Sequence, residues 1–316
     1  MRRLIVVLAG SLVLVPLAPL VRAAPPAAAE KYALVIGIND YQAPTRDTIG
    51  SVGDALDMRE ALLRNGWLDG NIKMLLDSAA TADAIREGMR WLVSKSSPAA
   101  FSVFHYSGHT KQMDTVPDLE GWDEFLWGAG NDFVSDNEFT DHMKAVKGRL
   151  WANVANCESA GFDDGFSGPE KLFTAASRED QKGYEEPGWN RSVFSGLMVR
   201  EGILKGRADA NKDGRVSLDE AFAHAEKHAP AMTAGAKPYG PQNPVRRGGG
   251  GGEWFLSPPA PARPTDHAPI VENFPVVKDV LDQLPQPPPG TPEAPPPPPL
   301  PLEQLPVTSS LLSPKQ

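Results

Sequence analysis

With 316 residues the chain can hold one large domain or two small ones, each with a substantial core. Its net charge of -9 argues against nucleic acid as a partner, since such binding needs a basic face. A single cysteine excludes an internal disulfide, so an exported form must rely on core burial or on a bound ion.

The N-terminus reads Met1-Arg2-Arg3, an apolar run from Leu4 to Leu20, then Val21-Arg22-Ala23. A charged start, an apolar stretch and a small-residue cleavage point predict a signal peptide over residues 1–23. Gly10, Pro16 and Pro19 break a run barely long enough to span a bilayer, so no integral span is expected after its removal. The expected location is secreted or cell-envelope, as for a bacterial exported protein, with residues 24–30 as a short linker.

Residues 31–256 read as one unit of alternating strands and helices. Tyr32 to Ile38 is a continuous apolar run ended by Asn39-Asp40, the pattern of a strand buried on both faces. Val52, Ala55, Leu56, Leu62 and Leu63 recur at helical spacing, and Asn65-Gly66 stops that helix. Ile72 to Leu76 is a second strand. Thr81 caps a helix whose apolar face is Ile85, Met89, Leu92 and Val93. Phe101 to His105 is a third strand. Ser135-Asp136-Asn137-Glu138 has capping-box form and opens a helix carrying Phe139, Met143 and Val146. Leu150 to Ala155 and Leu172 to Ala176 are further strands, and Val193, Phe194, Leu197 and Met198 mark another helix. Such alternation predicts an α/β fold with a mostly parallel central sheet flanked by helices, its chemistry gathered beyond the carboxyl ends of the strands. The first strand carries no glycine-rich dinucleotide fingerprint.

Cys157 lies 48 residues after His109, and both fall where apolar runs break into small polar residues. One cysteine with one histidine about 50 residues upstream is a spacing for nucleophile and base. A buried inert thiol is the alternative, since free cysteine packs well as a small hydrophobe. A thiol needs a base beside it to become a nucleophile, and attack on a carbonyl creates an oxyanion that needs backbone donors. Gly108 and Thr110 around the imidazole, and Ser159-Ala160-Gly161 after the thiol, suit that demand; tight turns use the same residues. A zinc site at His105 and His109 would need a helix at a place that reads as strand, so His105 is expected to pack or bond locally. Ser159 lacks the glycine two places before it that a serine-hydrolase elbow requires. His142, His224 and His228 fall on helical stretches and are expected at the solvated surface.

His105-Tyr106-Ser107-Gly108-His109 resembles the His-Tyr-Ser-Gly-His-Gly signature of metacaspases and bacterial caspase-like peptidases of the caspase/haemoglobinase fold. Asn156-Cys157-Glu158-Ser159-Ala160-Gly161-Phe162 is similar to that family's nucleophile turn, and Ala33 to Tyr41 to its first strand. Phe173 to Gln181 resembles the strand and loop beside its substrate cleft. The resemblance implies Cys157 as nucleophile, His109 as base, and the amides of Thr110 and Cys157 as oxyanion donors. It also implies Asp54 and Ser107 at the substrate-binding positions, with Arg or Lys preferred before the scissile bond of a protein or peptide. Three positions depart from the pattern: Thr110 and Ala160 replace glycines, and Ala155 replaces an aspartate that helps to bind a basic side chain.

Residues 209–220 fit the twelve-residue EF-hand loop. Asp209, Asn211 and Asp213 supply side-chain oxygens, Gly214 the sharp turn, and Arg215 a carbonyl; Ser217 stands at the ninth place and Glu220 closes the set. One calcium ion is therefore expected, as a structural rather than a sensing element. A capping box at Ser217-Leu218-Asp219-Glu220 is the simpler alternative. From Ser257 onward the chain carries more than half of its 32 prolines, and residues 257–316 are expected to form a disordered, proline-rich tail. The tail is a spacer or the ligand of an aromatic groove on a partner. The whole therefore reads as an exported, calcium-binding cysteine endopeptidase. The alternative is an inactive caspase-like fold serving as a calcium-dependent binding or scaffold protein.

Overall fold

The computed structural model describes residues 30–113, 122–250 and 253–257, together with the backbone of Ser313–Pro314. The expected signal peptide and almost all of the proline-rich segment lie outside the described residues.

In chain order the first elements are β1 (Lys31–Gly37), α1 (Ser51–Arg64), β2 (Ile72–Leu76), α2 (Ala82–Lys95) and β3 (Phe101–Ser107). A small excursion follows: β4 (Thr110–Met113), β5 (Asp123–Trp127) and β6 (Phe133–Ser135), then α3 (Asp136–Ala145) and β7 (Arg149–Ala155). The last part holds β8 (Lys171–Ala175), β9 (Tyr184–Glu186), β10 (Arg191–Ser192), α4 (Val193–Ser195), α5 (Leu218–Thr233), β11 (Val245–Gly248) and β12 (Ser313–Pro314).

Six strands form the main sheet, in the order β11-β8-β7-β3-β1-β2. All pair in parallel except β11, which runs antiparallel to β8 at one edge. Helices cover both faces, so the central strands have no wet side. Ala33 and Val35 of β1 pack with α1, α5 and the turns after α4. Leu34, Ile36 and the following Ile38 pack with α2 and α3 on the other face. Each of the Val, Leu and Ile side chains contributes roughly 1.5–3 kcal/mol on full burial, and with both faces covered β1 shows no alternation of polar and apolar residues. Trp254 and Leu256 complete the first of these cores, so the fold reaches to the start of the proline-rich segment.

Thr81 caps α2 by accepting from the Ala84 amide, and Ser135 caps α3 through the Glu138 amide. The α3 box is only half closed, because the Glu138 carboxylate turns to Arg86 instead. Two short antiparallel sheets, β4-β5-β6 and β10-β9-β12, were not signalled by periodicity, being strands of two to five residues. The helix expected from Val193 continues past α4 as a π-helical stretch over Gly196–Leu204. The surface assignment of His224 and His228 is corrected. Both are half-buried on α5 with rings 4.7 Å apart, and burial pushes His224 down to about 4.

Candidate active site

Strands β3 and β7 are neighbours, and their parallel register ends with Ser107 opposite Ala155. His109 and Cys157 each stand two residues beyond that last pair, so both leave the sheet at the carboxyl edge. Thr110 joins the two turns: its Oγ1 donates to the carbonyl oxygen of Cys157 at 2.8 Å. Cys157 is fully buried, and its Sγ donates to the carbonyl of Gly183 at 3.7 Å.

The imidazole is held from three sides. His109 Nε2 lies 2.7 Å from the carbonyl oxygen of Arg46, which can only accept, so Nε2 carries the proton and Nδ1 is the basic nitrogen. The Tyr41 ring lies 4.7 Å and the Trp127 ring 5.7 Å from the imidazole, centroid to centroid. The backbone amide of His109 donates to Tyr41 Oη at 2.8 Å, and its carbonyl accepts from Tyr106 Oη at 2.6 Å. Burial raises both phenols well above the ordinary tyrosine range, so they remain neutral hydrogen-bonding groups. Gly108 is required here, since a Cβ would stand 2.6 Å from Tyr41 Oη and 2.7 Å from Tyr106 Oη.

The open amides expected after Cys157 are not observed. Ser159, Ala160 and Gly161 do not present unshielded N–H groups, because the turn closes on itself and on the next loop. Glu158 N donates to Gln181 O, Ser159 N to Ser177 Oγ, Ala160 N to Ser177 O and Gly161 N to Glu158 O. The amides of Glu158, Ser159, Ala160 and Gly161 are therefore all engaged within the protein. Gly161 has a different reason to be glycine: a Cβ would meet the Glu124 carboxyl at 2.3 Å. Ala160 has no such neighbour problem and is tolerated as a small buried side chain.

Asp54 opens α1 and is fully buried. Its carboxylate accepts Ser107 Oγ–H at 2.7 Å and the Ser192 amide at 3.1 Å. The structure thus brings Asp54 and Ser107 together beneath Ala155, whose carbonyl lies 3.5 Å from Ser107 Oγ. His105 lies apart from them, buried in β3, where its Nδ1 accepts from Asn153 Nδ2 at 2.9 Å. Asn153 in turn accepts from Thr174, and Thr174 from Trp151, a polar line across three strands in register.

Several residues around the site were not singled out from the sequence. Glu185 places a second buried carboxylate near Asp54: it accepts the Gly50 amide at 2.8 Å and pairs in register with Ser192. Glu158, held at φ +46°, forms an ion pair with Lys182, so a cation stands in the loop that passes Cys157. Burial raises the Glu158 carboxyl, and Lys182 counters that shift. Glu124 is buried against Gln112 and is pushed up to about 7, by burial first and then by Glu179, Asp136 and Glu158. Only tertiary pairing reveals these groups, since no local motif marks a loop that folds back onto a nucleophile turn.

The acidic loop stands between the π-helical stretch and α5. Gly214 takes φ +82° as the sharp turn requires. Asp209 accepts the amides of Asp213 and Gly214, and Asn211 and Asp213 accept those of Asp213 and Arg215. Glu220 accepts the amides of Ala210, Asn211 and Ser217, and Ser217 and Glu220 also form the full capping box of α5. In this arrangement the side-chain oxygens serve the loop's own amides. Among the described residues no three His, Cys, Asp or Glu side chains gather closely enough to hold a metal ion. The donor chemistry and the turn nevertheless fit a hard oxygen-seeking cation.

Residues 31–162 match the family model for the metacaspase, peptidase C14 domain. Metacaspase-1 of Schizosaccharomyces pombe is 31% identical over 148 residues, covering 42% of this chain and 34% of its own. Metacaspase-1 of Candida albicans is 31% identical over 150 residues, covering 41% of this chain and 33% of its own. Metacaspase-3 of Arabidopsis thaliana is 33% identical over 106 residues, covering 31% and 29%. The chain thus spans about a third of the length of these curated relatives. A crystal structure of a Geobacter sulfurreducens protein shares the fold, with a TM-score of 0.52 at 14% identity, covering 69% of this chain and 94% of that one. With its parallel sheet and the His-Tyr-Ser-Gly-His run leaving β3, the segment 31–162 is similar to a metacaspase, peptidase C14 domain, the domain of the caspase-like cysteine peptidases.

Proposed function

We propose that the chain is a cysteine endopeptidase in which Cys157 is the nucleophile and His109 the general base. The observation that carries this reading is the Arg46 carbonyl on His109 Nε2, which leaves Nδ1 basic at the sheet edge shared with Cys157. His109 Nδ1 takes the Sγ proton, and the thiolate attacks the peptide carbonyl carbon. The amides of Cys157 and Thr110 then stabilise the resulting oxyanion. Collapse to the thioester expels the amine, which leaves with the proton from His109; water hydrolyses the thioester through the same groups. Asp54, reached through Ser107, favours Arg or Lys before the scissile bond.

Calcium, bound by Asp209, Asn211, Asp213, the Arg215 carbonyl, Ser217 and Glu220, would supply charge neutralisation that stiffens the entry to α5. The charged start of the N-terminus and its apolar stretch support export. An inactive calcium-dependent binding protein is the second reading, favoured by Ala155 and by the full burial of Asp54.

Fluorogenic peptides ending in Arg, Lys or Asp, offered to the wild type and to Cys157→Ala with and without calcium, separate the two. Cleavage after Arg and Lys that vanishes in Cys157→Ala is expected. Absence of cleavage under every condition overturns the peptidase reading.

A further inference from the structure

Strand β9 follows Gly183, the residue whose carbonyl accepts the Cys157 Sγ–H. One edge of β9 is closed by β10, with Arg191 opposite Glu186 and Ser192 opposite Glu185. The other edge pairs antiparallel with β12, where Ser313 stands opposite Glu185 and Pro314 opposite Tyr184. Ser313 and Pro314 therefore form a strand on the sheet edge that begins beside Cys157, though they lie more than 150 residues away from it in sequence.

The pairing suits its sequence. Pro314 has no N–H, and in an antiparallel ladder residues alternate between exchanging hydrogen bonds and facing away. Tyr184, opposite Pro314, already gives its amide to Gln242 Oε1 at 2.9 Å, so it asks no partner of β12. The alternation then makes Ser313 and Glu185 the pair that exchanges N–H and C=O. An edge of this kind is what an extended peptide uses when it adds to a sheet, with main-chain bonds giving the affinity. An extended peptide that adds to β9 and a C-terminal strand already seated there cannot both hold the Glu185 backbone.

We propose that the β9 edge beside Cys157 is a docking site for the chain's own C-terminal segment around Ser313–Pro314, and that this segment competes with extended peptide substrates. The occlusion half of this inference rests on the peptidase reading above; the docking half does not. Between Ser257 and Ser313 runs a long proline-rich stretch, which keeps the segment tethered at a high effective concentration. When the competent, open form is a minor fraction of the molecules, apparent substrate affinity falls by that fraction. The occupant thus sets the Michaelis constant rather than the turnover number.

The test uses the full chain with Ser313→Pro, which removes the exchanging donor from β12. Amide hydrogen exchange at Glu185 reads docking directly and needs no catalysis. Maleimide labelling of Cys157, the sole thiol, reads access to the site. In the variant we expect exchange at Glu185 and labelling of Cys157 to rise by about tenfold, and KM for a fluorogenic peptide to fall with kcat unchanged. A synthetic peptide of residues 305–316 should restore the wild-type values when added in trans. Unchanged exchange at Glu185 overturns the docking, and faster exchange with unchanged labelling and KM overturns the competition. Faster exchange and labelling without turnover in any form upholds the docking and removes the peptidase reading instead.

Discussion

Thr110 Oγ1 donates to the carbonyl oxygen of Cys157, so a side chain that a glycine could not supply fastens the turn after β3 to the turn after β7. Both groups are buried, and a buried carbonyl that loses its donor costs about 1–3 kcal/mol. Thr110→Val keeps the shape and removes the hydroxyl, so the midpoint of thermal unfolding should fall by several degrees, at about 2–4 °C per kcal/mol for a domain of this size. Thr110→Ser should restore most of it. Equal melting of Val and Ser variants would remove the clasp from the account.

The frame of the molecule was legible because long apolar segments leave little choice. Tyr32–Ile38 and Leu150–Ala155 can only be central strands, and Thr81 and Ser135 mark helix starts by local chemistry. That His109 and Cys157 leave the sheet at one edge was legible as well, since parallel order places the ends of neighbouring strands together. The state of the amides after Cys157 was not, because Ser177 and Gln181 reach them from another loop. Lys182, Glu185 and Glu124 also escaped notice. Each gains its place from a pairing across more than ten residues, which no periodicity records.

The proposed preference for Arg or Lys asks of Asp54 its charge rather than its shape. Asp54→Asn keeps an oxygen for the Ser192 amide and for Ser107 Oγ, so the fold should survive with a near-normal melting curve. Cleavage after Arg or Lys should fall on the order of a hundredfold in kcat/KM, as for loss of one partner of a buried charge pair. Unaltered cleavage in Asp54→Asn would assign the basic preference to another group, with Glu185 the next to test.

Glu124 titrates near 7 against an ordinary value of 4.5, and the main cause is burial. The folded chain therefore holds a proton here that the unfolded chain has lost. This contribution to stability is fully present below pH 4.5 and disappears as the pH rises through 7. Asp136, raised to about 6 by burial first, adds in the same direction from 3.8 upward. Glu124→Gln imitates the protonated form, so its urea midpoint should exceed that of the wild type at pH 8 and match it near pH 4.5. A wild type and variant with parallel pH dependence would contradict the buried titration.

Glu220 accepts three backbone amides and the Ser217 hydroxyl; these outweigh its partial burial and hold it below the ordinary carboxylate range. It is thus charged well into mild acid. Calorimetry should show one calcium ion per chain, a higher melting temperature when it is bound, and binding largely lost in Glu220→Gln. The same calcium affinity in the variant would assign the loop to helix capping alone.

Lys182 forms an ion pair with Glu158, the residue that follows the proposed nucleophile. Burial works against its proton, yet the Glu158 carboxylate and Cys157 hold it above the ordinary lysine range. The same attraction must act in reverse, since a fixed ammonium favours thiolate over thiol. Lys182→Met should therefore move the midpoint of the pH dependence of Cys157 alkylation by iodoacetamide upward, on the order of one pH unit, because opposite charges at short range shift a titration by about that much or more. Lys182→Arg should hold the midpoint, since it keeps the charge and a partner for Glu158. A midpoint that stays fixed in Lys182→Met would mean that Glu158 neutralises the lysine completely, leaving His109 to generate the thiolate alone.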